Sequence, residues 1–137
     1  MSGAYAKVSD VMIPKIVTIN GLATVREAIE TMRETGIRSL VVERRDKSDE
    51  FGLLVISDIA KQVMANDRSP ERVNVYEIMS KPVLTVPAEM DIRYAARLLT
   101  SFDLSRALVV DDAREPVGIV TVRDMVLKYF EPEAAGA

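Results

Sequence analysis

The sequence predicts an α+β fold: two β-α-β-β-α repeats packed sheet to sheet with pseudo-two-fold symmetry. Three observations lead there. The 137-residue chain repeats itself at a spacing of 67 positions, in residue identity and in apolar pattern. Within each copy the hydrophobic pattern switches from short apolar runs to helical spacing and back. Each copy has only about 60 residues and three short strands, too few to cover an apolar sheet face alone. Two such sheets facing one another solve that problem.

Each copy opens on an acidic-apolar-methionine triplet, Asp10-Val11-Met12 and Glu77-Ile78-Met79. The apolar runs Ile16-Val17-Thr18-Ile19 and Val83-Leu84-Thr85-Val86 follow and read as buried strands. Val25, Ala28, Ile29 and Met32 then fall on one face of an amphipathic helix, and Ile92, Ala95, Ala96 and Leu99 repeat that spacing. Thr24 and Asp91 stand where an N-cap oxygen can accept from the free N–H groups of the first turn. Ser39-Leu40-Val41-Val42 matches Ala107-Leu108-Val109-Val110 at a shift of 68. Charged stretches, 44–50 and 111–115, lead on to Gly52-Leu53-Leu54-Val55 and Val117-Gly118-Ile119-Val120 and read as solvated hairpin turns. A closing helix runs from Asp58 to Met64 and from Asp124 to Phe130. The repeats therefore span 8–66 and 75–130, joined by a polar linker at 67–74 that contains Pro70, with a flexible tail at 131–137. The methionines, among them Met12, Met32, Met79 and Met125, read as core filler.

Composition excludes several classes. The net charge of −3 argues against a nucleic-acid or anionic-membrane surface, since both need a basic face. There are no cysteines and no histidines, which removes disulfides, thiolate nucleophiles, imidazole metal ligands and the usual hydrolytic triads. No metal site and no catalytic residue is expected, because the strand-to-helix stretches each offer a lone aspartate, Asp58 or Asp124, rather than a carboxylate cluster. The first seven residues hold no apolar signal core and no apolar run is long enough to span a bilayer, so the expected location is cytoplasmic.

The most informative stretch is Gly118-Ile119-Val120-Thr121-Val122-Arg123-Asp124, which runs from a strand straight into a helix. Gly118 permits close approach to the backbone. Thr121 offers a hydroxyl at the helix start, and the Asp124 carboxylate can accept from two adjacent hydroxyls such as those of a ribose. Arg123 supplies a cation for phosphate. Simple capping of the last helix by Thr121 or Asp124 is the competing reading. Asp58 holds the equivalent place after Gly52 in the first repeat.

Tandem repetition, the two opening triplets, the strands ending in Thr18 and Thr85, and the Gly118–Asp124 stretch together resemble a pair of cystathionine-β-synthase-type (CBS) domains, a Bateman module, over residues 8–130. The resemblance implies two clefts that bind adenosine-containing ligands, namely AMP, ADP, ATP or S-adenosylmethionine. In the first, Thr121 and Asp124 would hold the ribose above Ile119. Ile16, Val17 and Ile37 would form the adenine slot, and Arg123, Arg38 and Arg106 would be phosphate candidates. In the second, Asp58 would face Val83, Leu84 and Leu104. Val55 departs from the family there, since Thr or Ser is preferred, and Ser57 comes two positions late. The Asp58 cleft is therefore expected to be weaker or empty. Arg38 and Arg106 are read as near-equivalents, each just ahead of a buried strand. The implied function is a regulatory sensor and not an enzyme, acting on an unidentified effector protein in trans. The alternative is an interaction or assembly module with a degenerate ligand site. A homodimer forming a four-repeat disc is expected, with Ile29, Met32 and Ala95 contributing to its interface.

Overall fold

The computed structural model describes residues 5–132 of the chain, so the end of the expected tail, 133–137, lies outside the described residues. The fold is mixed α+β, with two three-stranded sheets. In chain order the elements are α1 (Val8–Val11), β1 (Thr18–Ile19), α2 (Val25–Thr35), β2 (Ser39–Val42), β3 (Gly52–Val55), α3 (Ile56–Ile59) with a π-helical continuation (Ala60–Met64), α4 (Val75–Ile78), β4 (Thr85–Pro87), α5 (Ile92–Ser101), β5 (Arg106–Val110), β6 (Pro116–Thr121) and α6 (Val122–Tyr129). In each sheet the first strand runs parallel to the second and the second antiparallel to the third.

The local signals behind these elements are on the expected residues. Thr24 caps α2 by accepting from Glu27 N–H at 3.1 Å, and Glu27 reaches back to Thr24 N–H at 2.9 Å. Asp91 caps α5, accepting from Arg93 N–H at 2.8 Å, and Arg93 also grips the buried carboxylate from its side chain. These bonds from Arg93 hold the Asp91 carboxyl below its ordinary range. Gly36 ends α2 in the left-handed conformation, φ 72°, which glycine adopts without steric cost.

The chain divides into two compact units, and these cut across the linear repeats. One unit is Val17–Val83, and the described part of the other is 5–16 with 84–132. The opening segment of each repeat packs into the other repeat's unit. Val73, Val75 and Ile78 belong to the core of Leu40, Val42 and Leu54, while Ala6 and Val8 belong to the core of Ala107, Val109 and Val120. Two glycines make this exchange possible. A Cβ on Gly118 would lie 2.8 Å from the Ile13 carbonyl oxygen and 2.6 Å from Met12 Sδ, and one on Gly52 would lie 2.8 Å from Met79 Sδ. What approaches Gly118 closely is thus the Met12–Ile13 backbone, which exchanges two hydrogen bonds with Ile119 at 2.8 and 3.1 Å. Ser80 does the same with Leu53, both at 2.9 Å.

Two expectations about surface and core change. Met32 and Ala95, expected at an interface, are buried in their own units' cores at 6% and 0% exposure, because each helix must cover its sheet before it can offer anything outward; Ile29 packs partly against the same core as Met32. The 44–50 stretch is not a wholly solvated turn. The Asp49 side chain is only 9% exposed, accepting from Lys81 Nζ at 2.8 Å and from Arg45 N–H at 2.9 Å. These bonds, led by Lys81, hold its carboxyl far below the ordinary carboxylate range.

Candidate functional site

Strand register decides which residues share a face. Thr18 pairs with Val41 and Thr85 with Leu108, so β2 and β5 correspond at a shift of 67, not 68. The left-handed residues that precede them agree: Gly36 at φ 72° and Asp103 at φ 55°. Arg38 therefore corresponds to Ser105, and Arg106 to Ser39. Successive strand residues point to opposite faces, so Arg38 and Arg106 are not equivalents. The expectation failed because the Val-Val identities at the strand ends align one residue out of register with the hydrogen bonds.

Thr121 ends β6 and caps α6. Its Oγ1 accepts from Asp124 N–H at 3.1 Å. That bond uses one lone pair and leaves the hydroxyl proton free to be donated elsewhere. Capping and ligand binding are thus compatible at this residue. The Asp124 side chain is 27% exposed, and its Oδ1 accepts from Arg123 Nη1 at 3.1 Å, with Arg123 itself 78% exposed. Arg106 lies directly opposite Thr121 across the β5–β6 ladder. The neighbouring bond from Val122 N–H to the Ser105 carbonyl marks this as a non-hydrogen-bonded pair. The two side chains share one face, with Cβ atoms about 4.5–5.5 Å apart. Leu108 and Ile119 continue that face and are buried at 0% and 5% exposure, while Ala107, Val109 and Val120 turn the other way into the helix-packed core. One hydroxyl and one carboxylate are thus drawn together at the start of α6, with the Arg123 guanidinium on the carboxylate and Arg106 opposite the threonine on β5.

The start of α3 is built differently. Val55 has no hydroxyl, and the Asp58 carboxylate folds back to accept from Val55 N–H at 3.3 Å. Ser39, buried, lies opposite Val55 in place of an arginine. Beside it the 80–83 segment is held along β3 by the Leu53–Ser80 pair, by Val83 N–H on the Phe51 carbonyl at 3.3 Å and by the Asp49–Lys81 bridge.

Among the residues expected to bind ligand, Thr121, Asp124, Arg123, Ile119, Arg106 and Ile16 fall in one unit, together with Leu84 and Leu104. Val17, Ile37 and Arg38 fall in the other, together with Asp58 and Val83. Arg38 is exposed, and its carbonyl accepts from Ile56 N–H at 3.1 Å. A separate apolar groove of about 230 Å³ runs between α5 and α6, over Ala96, Met125, Val126 and Phe130, and no candidate ligand residue lines it. No group of three acidic, His or Cys side chains among the described residues could hold a metal ion. No helix among them is long and apolar enough to cross a membrane.

Two sheets of one parallel and one antiparallel pairing, each running into a helix that starts on a Gly-x-x-x-x-x-Asp stretch, make a module of two like repeats. The chain belongs to the CBS domain family, whose model matches residues 8–65 and 75–131. It is 31% identical over 87% of its length to an uncharacterized protein of Methanopyrus kandleri, of which it covers 60%. It spans 38% and 24% of the next two relatives, so it matches only part of those longer chains. Among solved structures it is similar to a hexameric CBS-CP12 protein from bloom-forming cyanobacteria, at 35% identity and TM-score 0.85, covering 90% of this chain and 68% of that one. It also shares the fold of the CBS domain of a bacterial CNNM/CorC family Mg²⁺ transporter solved in complex with ATP, at 24% identity and TM-score 0.72, covering 90% of this chain and 87% of that one.

Proposed function

We propose that this chain is a regulatory module that binds an adenine nucleotide, AMP, ADP or ATP, with Thr121 and Asp124 as the ribose-holding pair. CBS pairs are generally regulatory and bind adenosine-containing ligands, and the transporter domain in complex with ATP is one example. The observation that carries the reading is the start of α6. Thr121 keeps a proton to donate after capping, and the Asp124 carboxylate is partly exposed to accept from a vicinal diol. Arg106, across the strand from Thr121, and Arg123, beside Asp124, supply positive charge for phosphate. Ile16 and Ile119 supply apolar surface for the base. Asp58 and Val83 belong to a weaker second site.

Nucleotide acts through differential affinity for two arrangements of the module, and the output passes in trans to an effector protein. Self-association accompanies this, as the hexameric relative's assembly suggests, with a dimer of four repeats as the unit. The protein acts in the cytoplasm and performs no chemistry on the nucleotide. S-adenosylmethionine is the other adenosine-containing candidate.

A thermal-shift series tests the reading. AMP, ADP or ATP at millimolar concentration should raise the melting temperature in wild type and not in Asp124→Ala. A flat response to all three and to S-adenosylmethionine overturns it. That result would favour the second reading, an assembly module with a decayed site, for which Val55 is the specific observation.

A further inference from the structure

The chain holds three asparagines, Asn20, Asn66 and Asn74, and their surroundings differ. The Asn66 amide nitrogen donates to the Lys61 and Gln62 carbonyls, both at 3.3 Å, and the next N–H, on Asp67, donates to the Met64 carbonyl at 3.2 Å. The Asn74 amide nitrogen donates to the Leu22 carbonyl at 2.9 Å. The N–H after it belongs to Val75, buried and branched, and donates to the Ala23 carbonyl at 2.8 Å. Asn20 is exposed and precedes Gly21. Its amide nitrogen and the Gly21 N–H donate to no group among the described residues. Its Oδ1 accepts from Leu22 N–H at 2.8 Å, an Asx-turn that folds the side chain back along the main chain.

We propose that Asn20 is a site of spontaneous deamidation and isoaspartate formation, where the folded turn leaves both reacting groups free. The Gly21 nitrogen loses its proton to solvent base and attacks the Asn20 side-chain carbon. The amide nitrogen takes up a proton and leaves as ammonia, which closes a succinimide ring. Water then opens one of the two ring carbonyls, giving aspartate or isoaspartate, and no oxidant or reductant is consumed. Leu22 N–H lies on the oxygen that becomes negative during attack, so this bond polarises the carbonyl. Glycine after the asparagine gives the main chain the freedom to bring its nitrogen onto the carbon.

Residues 20–23 seat the opening segment of the second repeat. Tyr76 N–H donates to the Gly21 carbonyl at 2.9 Å, and Val75 N–H donates to that of Ala23. Isoaspartate adds a methylene to the main chain just ahead of both acceptors. The corresponding seat in the other unit is Pro87–Ala88, where Ser9 N–H donates to the Ala88 carbonyl at 2.9 Å. Proline has no amide to lose, so one seat ages and the other does not. This chemistry is independent of nucleotide.

The test is prolonged incubation of the intact chain at mildly alkaline pH, folded and in urea, followed by peptide mapping with mass spectrometry. The folded chain should lose ammonia at Asn20, with isoaspartate among the products, while Asn66 and Asn74 stay intact. Gly21→Ala should slow the reaction severalfold. That variant keeps the fold, since its methyl would meet Val42 and Tyr76 at ordinary contact distances of 3.5 and 3.7 Å. An Asn20 that survives in the folded chain after the chain in urea has converted overturns the proposal, as does a Gly21→Ala protein that reacts at the wild-type rate. A melting curve reads the effect on the seat. Aged protein should melt about 2–8 °C below fresh protein. Freshly prepared Asn20→Asp, which keeps an acceptor for Leu22 N–H, should melt close to wild type. Aged and fresh proteins that melt together would overturn the link to the seat.

Discussion

The starts of α3 and α6 occupy corresponding places in the two repeats and carry the same aspartate, yet each makes a different half of the capping box. At α6 the threonine hydroxyl satisfies the backbone, and the aspartate stays outside the cap. At α3 there is no hydroxyl, and the aspartate turns back onto the Val55 N–H. The two bonds satisfy different N–H groups, that of Asp124 at α6 and that of Val55 at α3; α2 makes both, through Thr24 and Glu27. What the α6 start has and the α3 start lacks is a hydroxyl beside a carboxylate that is not spent on the strand's last N–H. The cross-strand neighbour widens the gap, with Arg106 beside Thr121 and Ser39 beside Val55.

Breaking the comparison at its strongest point should give the largest effect. Asp124→Ala removes charge-assisted bonds to the ribose and should weaken nucleotide binding about 10- to 100-fold by calorimetry. Asp58→Ala should change it less than about twofold on the same scale. Equal losses would mean that the capping difference has no functional weight.

The glycines offer a second contrast, in stability. Gly118→Ala sets a methyl against the fixed Ile13 carbonyl at 2.8 Å, whereas the Gly52→Ala methyl meets the flexible end of Met79, with the nearest backbone oxygen, on Ser80, at 3.3 Å. Gly118→Ala should cost about 1–3 kcal/mol in denaturant unfolding, and Gly52→Ala less.

The Asp49–Lys81 bridge sharpens the comparison further, since it braces the segment beside the α3 start. A carboxyl whose pKa is lowered in the folded state contributes stability that is present above its unfolded value and lost on acidification. Stability should therefore fall below about pH 4, and Asp49→Asn should flatten that part of the pH profile. A profile unchanged by the substitution would remove this role from Asp49.

The smallest expected effect is a gain. Val55→Thr restores the cap hydroxyl and should stabilise the protein by about 0.5–1 kcal/mol in a thermal melt. It should also add a hydroxyl donor beside Asp58 and strengthen the second site. A destabilised variant would show that the Val55 methyl groups matter more than the missing hydroxyl.

Much of the fold was legible in the sequence because its signals are local. The helical spacing of Val25, Ala28 and Met32 and the caps at Thr24 and Asp91 each act within a few residues. The Thr121–Asp124 pair was legible for the same reason, being one helix turn. Exchange of the opening segments was not. Val8 and Val75 look alike in both copies, and nothing in their spacing says which sheet they will cover. The close approach behind Gly52 and Gly118 was the available clue, since a bare backbone implies that something lies against it. Register was the other loss. Repeated valines match equally well one step out, and only the hydrogen-bond ladder separates Arg106, beside Thr121, from Arg38.

The central claim is that the two helix starts are unequal. Isothermal titration of the wild-type chain with AMP, ADP and ATP measures that inequality directly. The account predicts one dominant site per chain for the preferred nucleotide, abolished by Asp124→Ala and retained in Asp58→Ala. Two sites of equal affinity, or one that survives Asp124→Ala and disappears in Asp58→Ala, would contradict it.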